Sequence, residues 1–442
     1  MKIKKHLSIA RAAAALLFLT LAAMAFSGTT WMASKLLQLQ FGPAILRCTA
    51  SFSAGALATV IGIAIITCLF GRFYCSVFCP LGILQDVIAF ISRRKAKAQP
   101  NYAKTKYAIA AAVFGLMVCG WNIGFLLLDP YSNFGRIFGG FTLGAMLPLI
   151  IIAALSVWRK RFYCTTICPV GTLLGLFAKF GVFRLKIADK CIKCGKCMTV
   201  CPSGCINIKE GFLDNERCVR CMSCISVCPR ECIAFAGLEK ANVPLNASRR
   251  AFLMNSGAML AGFASGVMLA KAGLSKLAVI SKRFKILPPG AGNAERFASK
   301  CTACQLCTAN CPAKIITSAP GGNGPVSLDL SNGACKYECN RCSQICPTGA
   351  IAFLPLAVKQ KTKIAEASLN PENCIVFQEG EECGECAKAC PTHAIALRKN
   401  GAPRPVNPSL CIGCGACRIV CPGSAMTMHE IEKQILLISG HD

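Results

Sequence analysis

Histidine is scarce in this chain of 442 residues. Only four are present, and they are His6, His393, His429 and His441. None of them lies in a long apolar run, and no Cys-x-x-Cys-His sequence occurs. Proteins commonly hold haem through axial histidines or attach it covalently at that motif. The sequence therefore argues against b-type and c-type haem, and we expect a protein without haem.

Acidic residues are also few. Twenty Asp and Glu residues stand against 49 Lys and Arg residues, which gives a formal net charge of +29. No nucleic-acid-binding motif accompanies the basic residues, and many of them lie beside apolar runs, as in the cytoplasmic loops of membrane proteins. Hydrophobic residues make up 54% of the chain, and the mean hydropathy is +0.50. These features predict a membrane protein without a nucleic-acid partner.

Four apolar runs in the N-terminal part approach the ~20 residues that a membrane-spanning helix needs. Basic residues precede the first run and follow the second and fourth, so the positive-inside rule places these ends in the cytoplasm. The first run would also suit a cleaved signal peptide, but no clear cleavage site is visible and further apolar runs come after it. We predict four spans, over residues 7–26, 51–70, 107–128 and 141–157.

A short sequence is repeated after the second and fourth predicted spans. Residues 71–82 and 160–171 share Arg-Phe-Tyr-Cys-x-x-x-Cys-Pro, and the aromatic and basic residues suit the headgroup layer. Two such elements related by pseudo-symmetry could supply four thiolates to one cluster. Two reduced thiol pairs, or a transient thiol–disulfide site, are the alternatives. The four candidate ligands are Cys75, Cys79, Cys164 and Cys168.

The most specific cysteine pattern lies between residues 184 and 237. Two Cys-x-x-Cys-x-x-Cys-x-x-x-Cys-Pro motifs follow one another, as in bacterial two-cluster ferredoxins, where the fourth cysteine of each motif binds the other cluster. Zinc is a poor alternative because of the Cys-Pro tail. We interpret Cys205 and Cys232 as small buried thiols. The predicted ligand sets are Cys191, Cys194, Cys197 and Cys228 for one cluster, and Cys218, Cys221, Cys224 and Cys201 for the other.

Past the middle of the chain, Ser248-Arg249-Arg250-Ala251-Phe252-Leu253 precedes an uncharged run that ends at Ala270. This pattern resembles the twin-arginine export signal. An ordinary membrane helix with a basic cytoplasmic flank is the alternative. Both interpretations make the segment cross the membrane, so we expect the cysteine-rich region behind it to lie outside the cytoplasm.

Four further cysteine motifs occupy the C-terminal region. Each ends in Cys-x-x-Cys-x-x-x-Cys-Pro, which predicts four more 4Fe–4S clusters. The second and third motifs have a displaced leading cysteine. The four sets are Cys301, Cys304, Cys307 and Cys311; Cys335, Cys339, Cys342 and Cys346; Cys374, Cys383, Cys386 and Cys390; and Cys411, Cys414, Cys417 and Cys421.

Together these motifs resemble two families of ferredoxin-type proteins. Residues 1–240, with the predicted spans, the paired Cys-x-x-x-Cys-Pro elements and the ferredoxin tail, resemble the NapH membrane component of periplasmic nitrate-reductase systems and related NosR-type domains. Residues 245–442, with the paired arginines and the four-motif array, resemble the NapG/MauM ferredoxins. The chain thus resembles a fusion of two subunits. The resemblance implies quinol oxidation and delivery of electrons to a reductase outside, without establishing nitrate as the acceptor.

The resemblance also implies how the C-terminal motifs pair. In four-cluster ferredoxin subunits the outer motifs usually share ligands with each other, and so do the inner ones. On that basis Cys421 joins the first triplet, Cys311 the fourth, Cys390 the second and Cys346 the third.

The predicted fold class is an α-helical membrane domain of four spans plus a fifth linking helix, with two α+β bacterial-type ferredoxin domains. The predicted domains are a membrane domain over residues 1–183, a cytoplasmic two-cluster domain over 184–240, a linking helix over 245–285, and an extracytoplasmic four-cluster domain over 290–442. We expect a multi-pass protein of the inner membrane whose C-terminal domain lies on the periplasmic face.

We expect this protein to oxidise quinol and to pass electrons through about six 4Fe–4S clusters, with a seventh if the repeated elements bind one, to an extracytoplasmic reductase or cytochrome. The alternatives are a conduit that carries electrons outward from a cytoplasmic reductant, and a cluster-based sensor or assembly factor. No terminal reductase site is visible in the sequence. Asp129, Asn133 and Arg136 are weak candidates for handling quinol protons, and a capping turn that faces the headgroups is the other interpretation.

Overall fold

The computed structural model begins with a helical unit, which is followed by a small α+β unit, a long helix and a larger α+β unit. It describes residues 2–27, 39–51, 54–94, 96, 99–140, 143–208, 210–236, 248–271, 286–318, 325–380, 382–399 and 401–437. The boundaries predicted near residues 240, 245 and 285, and the linker over residues 272–285, lie outside this part of the chain.

Prolines begin three of the helices that build the helical unit. Pro80, Pro130 and Pro169 each occupy the first position of a helix, where proline's missing N–H group removes no hydrogen bond. The helices are α1 (Lys2–Phe26), α2 (Phe41–Ser51), α3 (Ala54–Phe70), α4 (Tyr74–Val77), α5 (Pro80–Ile91), α6 (Ala103–Val118), α7 (Ile123–Leu128), α8 (Pro130–Gly140), α9 (Leu143–Arg159) and α10 (Pro169–Lys179), with a π-helical turn at Tyr163–Ile167.

The third predicted span, over residues 107–128, is not a single helix. α6 ends at Val118, and α7 begins only at Ile123. Between them Gly120 has a φ of +83°, a left-handed conformation that glycine adopts without steric cost. The prediction of one continuous helix is therefore wrong. The apolar pattern continues through the turn and gave no sign of it.

Two described helices are long and apolar enough to cross a membrane, and they are His6–Phe26 and Leu253–Lys271. The apolar helices Ala54–Phe70 and Met146–Arg159 are shorter than the ~20 residues that a membrane-spanning helix needs. Length and composition are weak evidence, because a buried core helix or a signal sequence has the same properties. The helical unit therefore supports a membrane protein only weakly, and four spans remain a prediction.

The long helix after the first α+β unit, α13 (Ser248–Lys271), packs along α6. A Cβ atom on Gly262 or Gly266 would overlap the carbonyl oxygens of Ala108 and Ala112. Glycines four residues apart let two helix backbones approach closely, as in membrane helix pairs. The helix that carries the predicted export signal is therefore an integral part of the helical unit in this structure.

The small α+β unit contains two antiparallel strand pairs, with β1 beside β4 and β2 beside β3. Leu185 and Ile233 pack in its core between the cysteines. Its elements are β1 (Arg184–Ile187), α11 (Lys196–Val200), β2 (Ile206–Asn207), β3 (Phe212–Leu213), α12 (Ser223–Val227) and β4 (Ile233–Ala236).

The larger α+β unit has two separate hydrophobic cores. Ile316 and Leu328 belong to the first core, with cysteines of the first two motifs, whereas Ala394 and Met426 belong to the second, with cysteines of the last two. Three antiparallel strand pairs, β5–β6, β7–β10 and β8–β9, complete it. The elements are α14 (Ala294–Lys300), α15 (Leu306–Ala309), β5 (Ile316–Ser318), β6 (Val326–Leu328), α16 (Arg341–Ile345), α17 (Leu356–Lys359), β7 (Thr362–Lys363), β8 (Glu366–Leu369), a 3-10 turn (Pro371–Asn373), α18 (Ile375–Gln378), α19 (Glu385–Lys388), α20 (Ala416–Ile419), β9 (Met426–His429) and β10 (Ile435–Leu436).

The two α+β units contact different parts of the helical unit. In the small unit, Pro202 accepts a backbone hydrogen bond from Arg161 (3.2 Å), next to the repeated cysteine elements. In the larger unit, the Asn310 side chain donates to the Ala25 carbonyl oxygen (3.3 Å) at the C-terminal end of α1. Arg11, on the same helix, donates to the Ser76 carbonyl oxygen, about 21 Å of helix away from Ala25. The two units therefore dock at well-separated places on the helical unit.

Candidate iron–sulfur sites

The small α+β unit gathers its eight predicted cysteine ligands into two groups. Cys228 lines one cavity together with the triplet of the first motif, and Cys201 lines another with the triplet of the second. Lys193 and Arg220, at the same position in each triplet, have positive φ angles of 54° and 56° that curl the loop around its cavity. This grouping matches the predicted ligand sets, and cluster binding by them stays a prediction.

Cys205 and its counterpart Cys232 each contact the cysteine that a motif contributes to the other group. The Sγ of Cys205 lies 3.6 Å from the Sγ of Cys201, and the backbone N–H of Cys232 donates to the Sγ of Cys228 at 3.3 Å. A side-chain hydrogen bond from Cys205, assisted by the Arg220 cation, lowers the pKa of Cys218 to about 6. Both effects favour the thiolate form that binds metal.

Three cysteine groups of the larger unit also surround cavities, and each contains a triplet and one cysteine from a neighbouring motif. These groups are Cys335, Cys339 and Cys342 with Cys311; Cys374, Cys383 and Cys386 with Cys421; and Cys411, Cys414 and Cys417 with Cys390. The displaced leading cysteines, Cys335 of the second motif and Cys374 of the third, therefore lie beside the next two cysteines of their own motifs.

The remaining triplet of the larger unit, Cys301, Cys304 and Cys307, is in electrostatic contact with Cys346. The first and second motifs thus exchange their fourth cysteines with each other. The third and fourth motifs do the same. This corrects the pairing of outer with outer and inner with inner motifs that the resemblance implied. The physical reason is the presence of two hydrophobic cores, each of which holds two consecutive motifs together.

The five cysteine-lined cavities are alike in size. Their volumes lie between about 310 and 370 Å³, open space at the mouth included. Within the described residues, no group of three or more His, Cys, Asp or Glu side chains is spaced to hold a single metal ion. A 4Fe–4S cluster is larger than one ion and holds its cysteine ligands further apart. The cysteine lining and the volume of these cavities therefore suit 4Fe–4S clusters.

The repeated Cys-x-x-x-Cys-Pro elements meet inside the helical unit. All four of their cysteines are between 3% and 5% exposed and belong to one hydrophobic core. Cys168 is in electrostatic contact with each of the other three. Its Sγ also accepts from the backbone N–H of Gly171 (3.2 Å), at the start of α10. Helix N-termini stabilise negative charge, so this position favours an anionic group.

Two equivalent arginines interlock the repeats. Arg72 of the first copy donates to the carbonyl oxygen of Cys164 (2.9 Å), and Arg161 of the second donates to that of Cys75 (2.6 Å). Both arginines are almost fully buried, at 2% and 0% exposure. This corrects the expectation that the basic residues of the repeats face lipid headgroups. Here they hold the two cysteine pairs together.

The two arginines differ in their charge balance. Arg161 forms an ion pair with Asp86 (2.6 Å), which Arg11 also reaches. Arg72 has no carboxylate partner among the described residues, and its Nη2 lies 3.8 Å from the Sγ of Cys75. A buried cation without a counter-charge is strongly destabilising. A cluster with four thiolates is anionic and would balance Arg72, whereas two reduced thiol pairs would not.

Sequence reasoning missed several residues around this quartet. Gln85 donates to the Sγ of Cys164 (3.2 Å), and Asp86 fixes Arg161. Arg72 and Arg161 stand immediately before Phe-Tyr-Cys in both copies, so their shared position was a signal available in the sequence. Gln85 and Asp86 have no counterpart of the same type in the second copy and could not have been found in this way.

The weak quinol candidates lie at the start of α8 and are buried. Asp129 accepts from the backbone N–H of Ser132 (2.8 Å), so it caps the helix. Its other oxygen has no hydrogen-bond partner among the described residues. Asn133 accepts from Arg136 (2.9 Å). The capping interpretation thus describes Asp129, and all three side chains are buried within the protein.

α8 lies between the repeated cysteine elements and the larger α+β unit. On one side, Asn133 approaches the hydroxyl of Tyr163 at 3.5 Å, one residue before Cys164. On the other side, a Cβ on Gly135 would overlap the carbonyl oxygen of Cys304. This helix therefore connects two candidate cluster sites through a short stretch of packed residues.

Comparison with known proteins agrees with this assignment of cysteine groups to iron–sulfur chemistry. A family model described as a 4Fe–4S binding domain matches residues 52–99 and 141–188, which contain the two repeated elements. Models described as 4Fe–4S dicluster domains match residues 183–229, 214–315, 300–351, 334–394 and 380–425. No solved structure matches the chain at a comparable level of significance.

Several curated proteins are similar to parts of the chain. The putative electron transport protein YccM of Escherichia coli is 27% identical over 172 residues, covering 35% of this chain and 47% of YccM. The ferredoxin-type protein NapH of the same organism is 29% identical over 172 residues, covering 36% and 58%. The ferredoxin-type protein NapF of E. coli is 30% identical over 150 residues, which cover 33% of this chain and 86% of NapF.

The chain belongs to the ferredoxin-type family of 4Fe–4S proteins. The chain spans about half the length of YccM and NapH, and most of the length of NapF. The ferredoxin-type relatives and the several 4Fe–4S domains confirm the resemblance to a NapH-like polyferredoxin fusion and support iron–sulfur electron transfer with redox partners. The described part of this ferredoxin-type chain also contains a helical N-terminal region and two candidate spans, His6–Phe26 and Leu253–Lys271.

Proposed function

We propose that this protein is a membrane-bound conduit that carries electrons through a continuous series of 4Fe–4S sites from one face of the membrane to the other. The series runs from the small α+β unit, through a seventh site in the helical unit, to the larger unit on the outer face. The residues of that seventh site are Cys75, Cys79, Cys164 and Cys168. The cysteine groups described above supply the other six sites.

The observation that carries this proposal is the burial of the repeated cysteine quartet between the two ferredoxin units. A hydrocarbon layer is ~30 Å thick, and the sequence has no haem-attachment motif that would point to a haem bridging it. Arg72 touches the backbone of Glu216 in the small unit (3.3 Å) and of Cys164 in the quartet. On the far side, α8 reaches the loop of Cys304. A redox group at the quartet would divide the crossing into two shorter steps.

We further propose quinol as the electron donor and an extracytoplasmic reductase or cytochrome as the acceptor. Quinol is dissolved in the membrane. In the proposed topology the helical unit lies in the membrane, so the quartet is the candidate redox site closest to quinol. Oxidation of one quinol to quinone releases two electrons and two protons, so the clusters, which accept single electrons, would divide the pair. The chemistry at each site belongs to the cluster, and the chain supplies spacing, burial and hydrogen bonds.

A cytoplasmic reductant is a second candidate donor, and a specific contact favours it. The cavity of Cys218 lies on the side of the small unit that faces Arg72 and the quartet. Electrons that enter at the Cys191 group could therefore pass to the Cys218 group and into the helical unit without quinol.

The two donors are distinguished in inverted and right-side-out membrane vesicles that contain the full chain. Menaquinol and a membrane-impermeant cytoplasmic-side reductant are added separately, and cluster reduction is followed by electron paramagnetic resonance. Reduction by menaquinol supports the first donor. Reduction only by the impermeant reductant supports the second. If neither reductant fills the clusters of the larger unit, the conduit proposal fails.

Sidedness is tested with the same vesicles. Protease added from the outer face is expected to remove the signals of the larger unit and to spare those of the small unit. Removal of the small unit's signals instead, or of none, would contradict the proposed topology.

A further inference from the structure

We propose that Arg220 and Arg72 form a cationic bridge between the Cys218 site and the quartet of the helical unit, and that this bridge raises the reduction potential of the Cys218 site. The inference deepens the proposed function and rests on it, because the quartet is taken to hold a cluster.

Arg220 is a fully buried guanidinium group with few partners. Its Nη2 donates to the Phe183 carbonyl oxygen (2.9 Å), and its side chain lies over the ring of Phe235 at 5.7 Å. The Nε and Nη1 atoms have no hydrogen-bond partner among the described residues. A buried charge left in this state is expensive unless an anion lies nearby.

Arg220 lies directly against the start of the first repeated element. A Cβ atom placed on Gly71 would be 2.5 Å from its Nε and 3.0 Å from its Nη2. The next residue, Arg72, points to the quartet, and its Nε is likewise without a partner within the described part of the chain. The two cations therefore stand side by side in the gap between two cysteine groups, and both are in electrostatic contact with Cys218.

Two anionic clusters, one on each side, are the counter-charges that fit this arrangement. Each reduction adds one electron and makes its cluster more negative. In a buried, weakly screened gap, a fixed positive charge stabilises the added electron on either side. The bridge therefore favours reduction of the Cys218 site and reduces the repulsion between electrons on the two sites.

The repeat in the small unit provides a matched control. Lys193 occupies the position of Arg220 in the first motif and has nearly the same backbone angle, but its side chain is exposed. Solvent and salt screen an exposed charge. Removal of the Lys193 charge should thus leave the potential of the nearby site unchanged, whereas removal of the Arg220 charge should not.

The test compares Arg220→Gln, Arg220→Lys and Lys193→Gln in the full chain, by redox titration followed with electron paramagnetic resonance. For Arg220→Gln we expect at least a tenfold shift of the reduction equilibrium of the Cys218 cluster toward the oxidised form, about 59 mV for a one-electron couple. Arg220→Lys keeps the charge and should recover most of the wild-type potential. Iron content and the thermal unfolding curve establish that each variant is folded and loaded.

The outcomes separate this inference from the proposed function. An unchanged potential in a loaded Arg220→Gln protein, or an equal shift in Lys193→Gln, would overturn the bridge even if the quartet holds a cluster. Iron analysis and spectra of the wild-type protein that account for only six clusters would instead refute the seventh site. In that case a shift in Arg220→Gln would show that the cation acts on the Cys218 site alone.

Discussion

Arg72 and Arg161 show how single residues define the site in the helical unit. Each donates to the carbonyl oxygen of a cysteine in the other copy of the repeat, yet among the described residues Arg161 has a carboxylate partner, Asp86, and Arg72 has none. Arg72 is therefore a buried cation that faces the cysteines without a counter-charge in the described part of the chain. A neutral group bound by the quartet would not balance the charge of Arg72, whereas an anionic cluster would.

Asp129 provides a pH-dependent prediction at the same scale. It lies outside the predicted spans, and burial raises its pKa from the ordinary 3.8 to about 6. The folded protein therefore holds the proton more tightly than the unfolded chain, so the free energy of unfolding falls as the pH rises from about 4 to about 6. The total effect is about 3 kcal/mol.

Thermal unfolding of the detergent-solubilised protein between pH 4 and pH 7 measures this effect. Asp129→Asn keeps a helix-capping side chain and removes the titration, so its stability should change less over that range than the wild-type stability. Equal pH dependence in the two proteins would show that another group is responsible.

The sequence was informative about individual cysteines because their spacing repeats a local loop geometry. The three closely spaced cysteines of each motif could be assigned from it, since one short loop curls around one cavity. The partner of Cys311 or Cys346 could not, because it depends on which motifs share a hydrophobic core. Likewise, Asp86 became visible as part of the site only when the fold placed it beside Arg161.

At the scale of elements, α8 and α13 are positioned by glycines. Gly135 and Gly139 form a face of α8 on which the loop of Cys304 and Gln305 rests. Gly262 and Gly266 give α13 a similar face against α6. The apolar pattern predicted α13 as a crossing helix, but its packing partner depends on close approach of two backbones, which hydrophobicity does not encode.

The glycine face of α8 leads to a prediction about electron transfer. In Gly135→Leu the new side chain would overlap the backbone at Cys304 and push the larger unit away, at a cost of about 1–3 kcal/mol. Electron transfer from the helical unit to the larger unit should slow, because transfer rates fall steeply with distance. Freeze-quenched spectra after a pulse of reductant give this rate.

Gly62→Leu, on α3, is the matched control. A Cβ at Gly62 meets no atom within 4 Å, so this variant should transfer electrons at the wild-type rate. An unchanged rate in Gly135→Leu would mean that α8 does not determine the distance between the two units.

At the scale of the whole molecule, the cysteine groups lie in a definite order. The two ferredoxin units contact different parts of the helical unit, and the quartet lies inside the helical unit between them. The sequence predicted the units and their order along the chain. It left open whether the two cysteine elements meet, because their pairing requires the helices between them to bring residues about 90 positions apart into one core.

The most direct test of the conduit is electron transfer across proteoliposomes that contain the full chain. Dithionite is added outside, and the reduction of ferricyanide trapped inside is followed optically for the wild type and for Cys164→Ser. The wild-type protein is expected to reduce the trapped acceptor, and the variant to fall to the rate of protein-free liposomes while retaining the spectra of both ferredoxin units. Equal rates in the two proteins, with both units intact, would contradict a path through the quartet.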